Sequence, residues 1–195
     1  MTSIAQVHAE GRLTRNQWSG TDAEGRELLC LYTALAGDSK ARPETCPAHL
    51  APKWLARLLP AWDDNGTLDA WPGMVARVVE LAPRFGELTG RRERVALAGV
   101  NLATLNVARE HAGEGVEVVD AVRVLWTRVL AGDEPAASEW RAAARAAYAA
   151  DAAANAAANA AAAYAAYADA ASTYQRAWDR ITAAHLDVIE AALNT

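Results

Sequence analysis

Hydrophobic spacing along this chain starts irregular and becomes helical. Over residues 1–25 no period is sustained, and Gly11, Gly20 and Gly25 interrupt the segment. The pattern there predicts a short extended run, Arg12 to Trp18, followed by a turn at Ser19 to Asp22. Helical spacing begins with Leu28, Leu31, Tyr32 and Leu35, behind a cap at Thr21 or Asp22 and ahead of a stop at Gly37. A polar linker, DSKARPETCP, comes next. Pro52 then opens PKWLARLL, with Trp54, Leu55 and Leu58 facing inward. Pro60 is expected just beyond that helix, because an interior proline removes a backbone donor and crowds the preceding turn.

Asp64, Asn65 and Gly66 carry turn chemistry, Thr67 is a cap residue, and Pro72 suits a first helical turn. Trp71, Val75, Val78 and Leu81 line one face of the predicted helix, which Pro83 closes. Two further helices are predicted, one from Glu87 or Arg91 to His111 and one from Glu114 to Leu130. In the second, Val118, Val122, Leu125, Trp126 and Val129 form the inward stripe. Gly113 and Gly115 separate the two, and Gly132 ends the second. Such short connections make successive helices antiparallel neighbours.

Beyond Pro135 the chain has neither glycine nor proline, and alanine takes 24 of the 36 positions from Ala136 to Ala171. Alanine has the highest intrinsic helix propensity, so this stretch predicts helix with little help from packing, capped by Asp133 or Ser138. Its apolar stripe is small-sided at first and bulky later, ending in Tyr174, Trp178, Ile181, His185, Ile189 and Ala192. Sixty residues of straight helix would span about 90 Å. A compact chain of this length is only roughly 45 Å across. The segment must therefore bend near Ser172 and Thr173 or project as an arm, and an alanine seam on such an arm suits homo-oligomerisation.

The reading is an all-α fold: a multi-helix bundle or orthogonal array with a long alanine-rich C-terminal helix or helical hairpin, and a short N-terminal hairpin. Residues 1–132 form a helical domain with an irregular start. Residues 133–195 form the alanine-rich segment, packed on that domain or on another subunit. The 195 residues suffice for a core without staples, and although 52% are hydrophobic, alanine contributes so much of this that Leu, Val and the seven tryptophans must supply the bulk.

Charge narrows the partners. The net charge of −5, without any basic block, lacks the footprint of a duplex nucleic-acid binder. MTSIAQVHAEGR has no apolar signal core, and Asp151, Asn155, Asn159 and Asp169 interrupt the alanine run, so no membrane span is expected and the bacterial host's cytoplasm is the expected location. Cys30 and Cys46 read as reduced thiols.

Catalytic signatures are missing: there is no Walker sequence, GxGxxG, HExxH, GxSxG or CxxC, so no cofactor is expected. Cys46 and His49, with Cys30, give three zinc-type ligands and no fourth, which reads as a thiol and an imidazole near a helix start. Asp63, Asp64, Asn65, Gly66, Thr67 and Asp69 resemble the opening of a calcium loop, but Met74 stands where the bidentate glutamate belongs, so a capped turn is expected. His185 sits on the apolar stripe, as a hydrogen-bonded core histidine would. The stronger grouping is Trp18, Asp22 and Arg26 with Trp62, Asp63, Asp64 and Trp71: aromatic planes beside carboxylates and an arginine suit a base, a ribose or a peptide edge. The bland alternative is that the tryptophans plug gaps and the charges cap helices.

The order QWSGTDAEGRELLCLYTAL, CPAHLAPKWLARLLPAWDDNGTLDAWPGMVARVVELA and, after the alanine tract, WDRITAAHLDVIEAAL resembles a group of uncharacterised alanine-rich helical proteins of bacteriophages and prophages. The alanine tract alone is similar to that of Imm-5-like immunity proteins. Neither group supplies catalytic residues. The resemblance implies a non-enzymatic phage accessory protein that inhibits a host defence system by sequestering a defence protein or a small nucleotide-derived signal. Two other readings stand beside it: an assembly protein oligomerising through the alanine helix, and a metal-dependent enzyme using Asp63, Asp64 and Asp69.

Overall fold

A computed structural model describes residues 3–15, 19–37, 52–146 and 167–195 of the chain. The fold is mostly all-α, a multi-helix arrangement with, among the described residues, one tiny two-stranded sheet.

The segment without periodicity opens with a helix, α1 (Ile4–Ala9), whose first turn is capped by Ser3 accepting the Gln6 amide at 3.2 Å. Six residues with only Ile4 and Val7 buried are too short to register as periodic. The hairpin is displaced from its expected place: β1 (Ser19–Thr21) pairs antiparallel with β2 (Glu27–Leu29), and the turn spans 22–26. The cause is Asp22, whose carboxylate accepts the amides of Glu24 at 3.0 Å and Arg26 at 2.8 Å, closing a loop on its own following backbone instead of capping a helix. Leu28, expected in a helix, therefore lies in β2. Leu13 alone of the expected extended run makes a bridge, to Leu29, and residues 16–18 fall outside the described part. Helix α2 (Leu31–Ala36) starts later than expected, at Cys30, whose sulfur accepts the Thr33 amide at 3.5 Å as a serine hydroxyl would; it ends at Gly37 in the left-handed conformation.

Helix α3 (Lys53–Asn65) runs through Pro60, where the sequence predicts an end. The lost hydrogen bond is outweighed by a buried face that continues past the proline: Leu55, Ala56, Leu59, Trp62 and Asp63. The far end is held from outside the helix. Arg15 donates to the Asp63 carbonyl at 2.5 Å, to the Asp64 carbonyl at 3.0 Å and to the Gly66 carbonyl, satisfying groups that a helix terminus leaves open.

Helix α4 (Trp71–Leu81) has Pro72 in its first turn and passes into a 3-10 turn, Ala82–Glu87, that accommodates Pro83. Helices α5 (Gly90–His111) and α6 (Val116–Leu130) lie within a few residues of their expected bounds. Only Leu125 of the α6 stripe is buried, with Val118, Val122, Trp126 and Val129 half-buried. Helix α6 packs chiefly on α5, and Trp126 meets Trp140 of the helical segment 137–146, here α7, edge-on at 5.0 Å.

Helix α8 (Tyr167–Leu193) is continuous across Ser172 and Thr173, where a bend was expected as one option. Rather than standing clear, its second half lies against α5, α3 and α4, burying Ile181, His185, Leu186, Ile189 and Leu193. At its crossing with α5 the backbones come close: a Cβ on Gly99 would lie 2.6 Å from Val188 Cγ1. The rest of the alanine tract, 147–166, lies outside the described residues, as do Cys46 and His49.

Candidate functional site

The turn between α3 and α4 is built around one carboxylate from the other end of the chain. Asp179 of α8 accepts the Thr67 amide and the Thr67 hydroxyl, both at 2.8 Å, and Thr67 Oγ1 in turn accepts the Ala70 amide at 3.2 Å. Residue 66 has to be glycine for this approach, since a Cβ there would sit 2.6 Å from Asp179 Oδ1. Fixing the turn against α8 leaves a pocket of about 260 Å³ between turn, α4 and α8. Its wall includes Trp62, Trp71, Met74 and Leu186, with Gly73 and Arg77 of α4 and Asp179 beside them.

The charges at this pocket are mostly committed. Arg77 bonds Asp187 at 2.9 Å and Glu190 at 3.0 Å, so its guanidinium is neutralised by two carboxylates of α8. Asp179 is held by Thr67 alone and pairs with no cation among the described residues.

Beneath the pocket lies a buried polar chain. Trp62 Nε1 donates to His185 Nδ1 at 3.1 Å. An indole nitrogen can only donate, so Nδ1 is the bare nitrogen and the neutral ring carries its proton on Nε2. That Nε2 lies 2.7 Å from Thr104 Oγ1, which passes the chain on to the Val100 carbonyl at 3.1 Å. Burial disfavours the imidazolium and pulls the His185 pKa down to about 4. This is a core histidine tying α3, α8 and α5 together, neutral and buried away from solvent.

Asp63 has the opposite displacement. Burial raises its pKa to about 6, partly offset by Trp71 Nε1, which donates to Oδ1 at 2.7 Å; the neighbouring Asp64 pushes it up further. Its other oxygen lies 3.4 Å from the Leu31 amide at the start of α2. The side chain thus anchors both Trp71 and α2.

Of the residues singled out from the sequence, the fold brings together Trp62, Asp63 and Trp71. The two tryptophans line the pocket, while Asp63 supports Trp71 from inside the core. Asp64 is exposed at the end of α3. Asp22 and Arg26 pair with each other at 2.7 Å in the hairpin turn, and Arg26 reaches back to the Glu10 carbonyl at 3.5 Å. Their role there is to close the turn. Trp18 lies outside the described residues. The pocket residues that sequence reasoning missed, Thr67 as Asp179's partner, Gly73, Met74 and Arg77, had no local signal, because each matters through contact with α8 more than a hundred positions away or through the space it leaves. Among the described residues no three or more His, Cys, Asp or Glu side chains converge as a metal site, so Asp63, Asp64 and Asp69 do not form one. No described helix is long and apolar enough to cross a membrane.

Fold and site together define a mostly all-α protein with an apolar-walled pocket of about 260 Å³. Compared with protein-family models, curated proteins and solved structures, the chain matches none.

Proposed function

We propose that this chain is a non-enzymatic binding protein, a phage accessory factor of the kind its sequence resembles, which inhibits a host defence system by holding a defence protein. The observation that carries the reading is the pocket: apolar walls from Trp62, Trp71, Met74 and Leu186, on a turn held rigidly by Asp179. Its volume of about 260 Å³ lies just under the roughly 300–1,000 Å³ of small-molecule sites, which suits one inserted side chain better than a nucleotide. A nucleotide signal would also bring phosphates to a place whose arginine is already neutralised. Leu68, 75% exposed and next in sequence to Thr67 of the pocket lining, adds apolar surface beside it.

Gly73 supplies the test. A Cβ there meets nothing within 4 Å and its backbone is ordinary, so Gly73→Leu adds bulk at the pocket wall without disturbing the helix. Bacteria carrying a defence system and expressing this chain should plate a sensitive phage at restored efficiency, and Gly73→Leu, folded and equally stable, should abolish that restoration. Equal restoration by the variant would refute the reading. Cyclic nucleotides binding the purified chain in calorimetry, with heat abolished by Gly73→Leu, would favour the nucleotide sponge instead.

A further inference from the structure

Resting on that reading of the pocket, its charge identifies the occupant more closely. We infer that the segment it receives from a partner protein is an apolar side chain flanked by basic residues. Three carboxylates, Asp179, Asp187 and Glu190, stand at or beside the pocket, and the only cation among its described lining residues is Arg77. Asp179 lines the wall, and among the described residues its two oxygens accept only the neutral donors of Thr67 and pair with no cation. Asp187 and Glu190 are exposed by 71% and 50% and share a single arginine, so each has coordination to spare for an arriving cation. Desolvating this edge against an acidic or neutral partner would strand carboxylate charge, whereas a lysine or arginine neighbouring the inserted side chain compensates it as the apolar group enters.

Three labelled peptides test this on the full chain. They share a leucine-phenylalanine centre and carry lysines, serines or glutamates on both sides; binding is read by fluorescence anisotropy. The lysine peptide should bind at least about tenfold more tightly than the glutamate peptide at low salt, with the serine peptide between, and the gap should shrink severalfold near 0.5 M salt as screening shortens to a few ångströms. Gly73→Leu should weaken all three. Asp179→Asn should narrow the lysine preference; since an amide keeps only one of the Thr67 bonds as acceptor, Asp187→Asn, at an exposed position, serves as the second variant and should narrow it too. Equal affinity of the three peptides, or preference for glutamate, would overturn the inference while leaving the pocket reading intact, because binding would still depend on Gly73. Failure of all three to bind would overturn both.

Discussion

Asp63 and His185 are both buried, yet they pull stability in opposite directions with pH, and removing one exposes the other. For Asp63 the folded pKa of about 6 exceeds the ordinary 3.8, so the folded chain holds this proton more tightly than the unfolded chain. Its contribution is fully present below 3.8 and is lost as pH rises through about 6. For His185 the folded pKa of about 4 lies below the ordinary 6.5, so its contribution is fully present above 6.5 and is lost as pH falls towards 4. Each displacement corresponds to about 3 kcal/mol. Between pH 4 and 6 the two slopes nearly cancel. Asp63→Asn removes one of them while keeping an acceptor for Trp71 Nε1. Relative to the parent, the variant should therefore gain about 2.5 kcal/mol between pH 4 and pH 7, on top of a constant offset from the altered contact with the Leu31 amide. The exposed carboxylates held low by arginines, such as Asp120 and Glu110, are common to both chains and drop out of the difference. Urea unfolding at half-unit pH intervals, followed by tryptophan fluorescence, gives the two curves. A difference that stays constant from pH 4 to 7 would show that Asp63 is not desolvated, and the account of its role as an internal anchor would fail.

Other predictions follow from the contacts. Gly99→Ala should cost about 1–3 kcal/mol in thermal unfolding, because its methyl would press on Val188 where α5 and α8 cross. Gly66→Ala should cost a similar amount and, by pushing Asp179 off Thr67, should raise hydrogen exchange at the Thr67 amide. Arg15→Met should lower stability by about 1.5–3 kcal/mol in chemical unfolding, since three carbonyls at the end of α3 lose a charged donor; an unchanged midpoint would mean the clasp is idle.

Where the sequence was legible, local physics was sufficient. Helices α4 and α6 announce themselves by apolar spacing over eleven residues or more, and Gly37 marks an end because a left-handed residue favours glycine. The buried stripe of α8 through Ile181, His185, Ile189 and Ala192 was likewise visible in the spacing alone. The errors fall where a distant contact overrides local preference. Pro60 signals an end that burial of Trp62 and the Arg15 clasp override. Asp22 has the chemistry of a cap and spends it on a turn.

The candidate site divides the same way. Trp62 and Trp71 were recognisable as chemistry-bearing residues by type, but which of their neighbours share a space with them was not. Asp22 and Arg26 looked similar in kind and lie in the hairpin turn. Near-neighbour physics makes this chain helical and lays out its bulky apolar faces, since propensity and period depend only on residues a turn or so apart. Tertiary structure alone decided that Asp179 would cross to Thr67 and Arg77 to Asp187 and Glu190. Those pairings join residues about 110 positions apart, and a local pattern carries no record of which distant partner will satisfy a given charge.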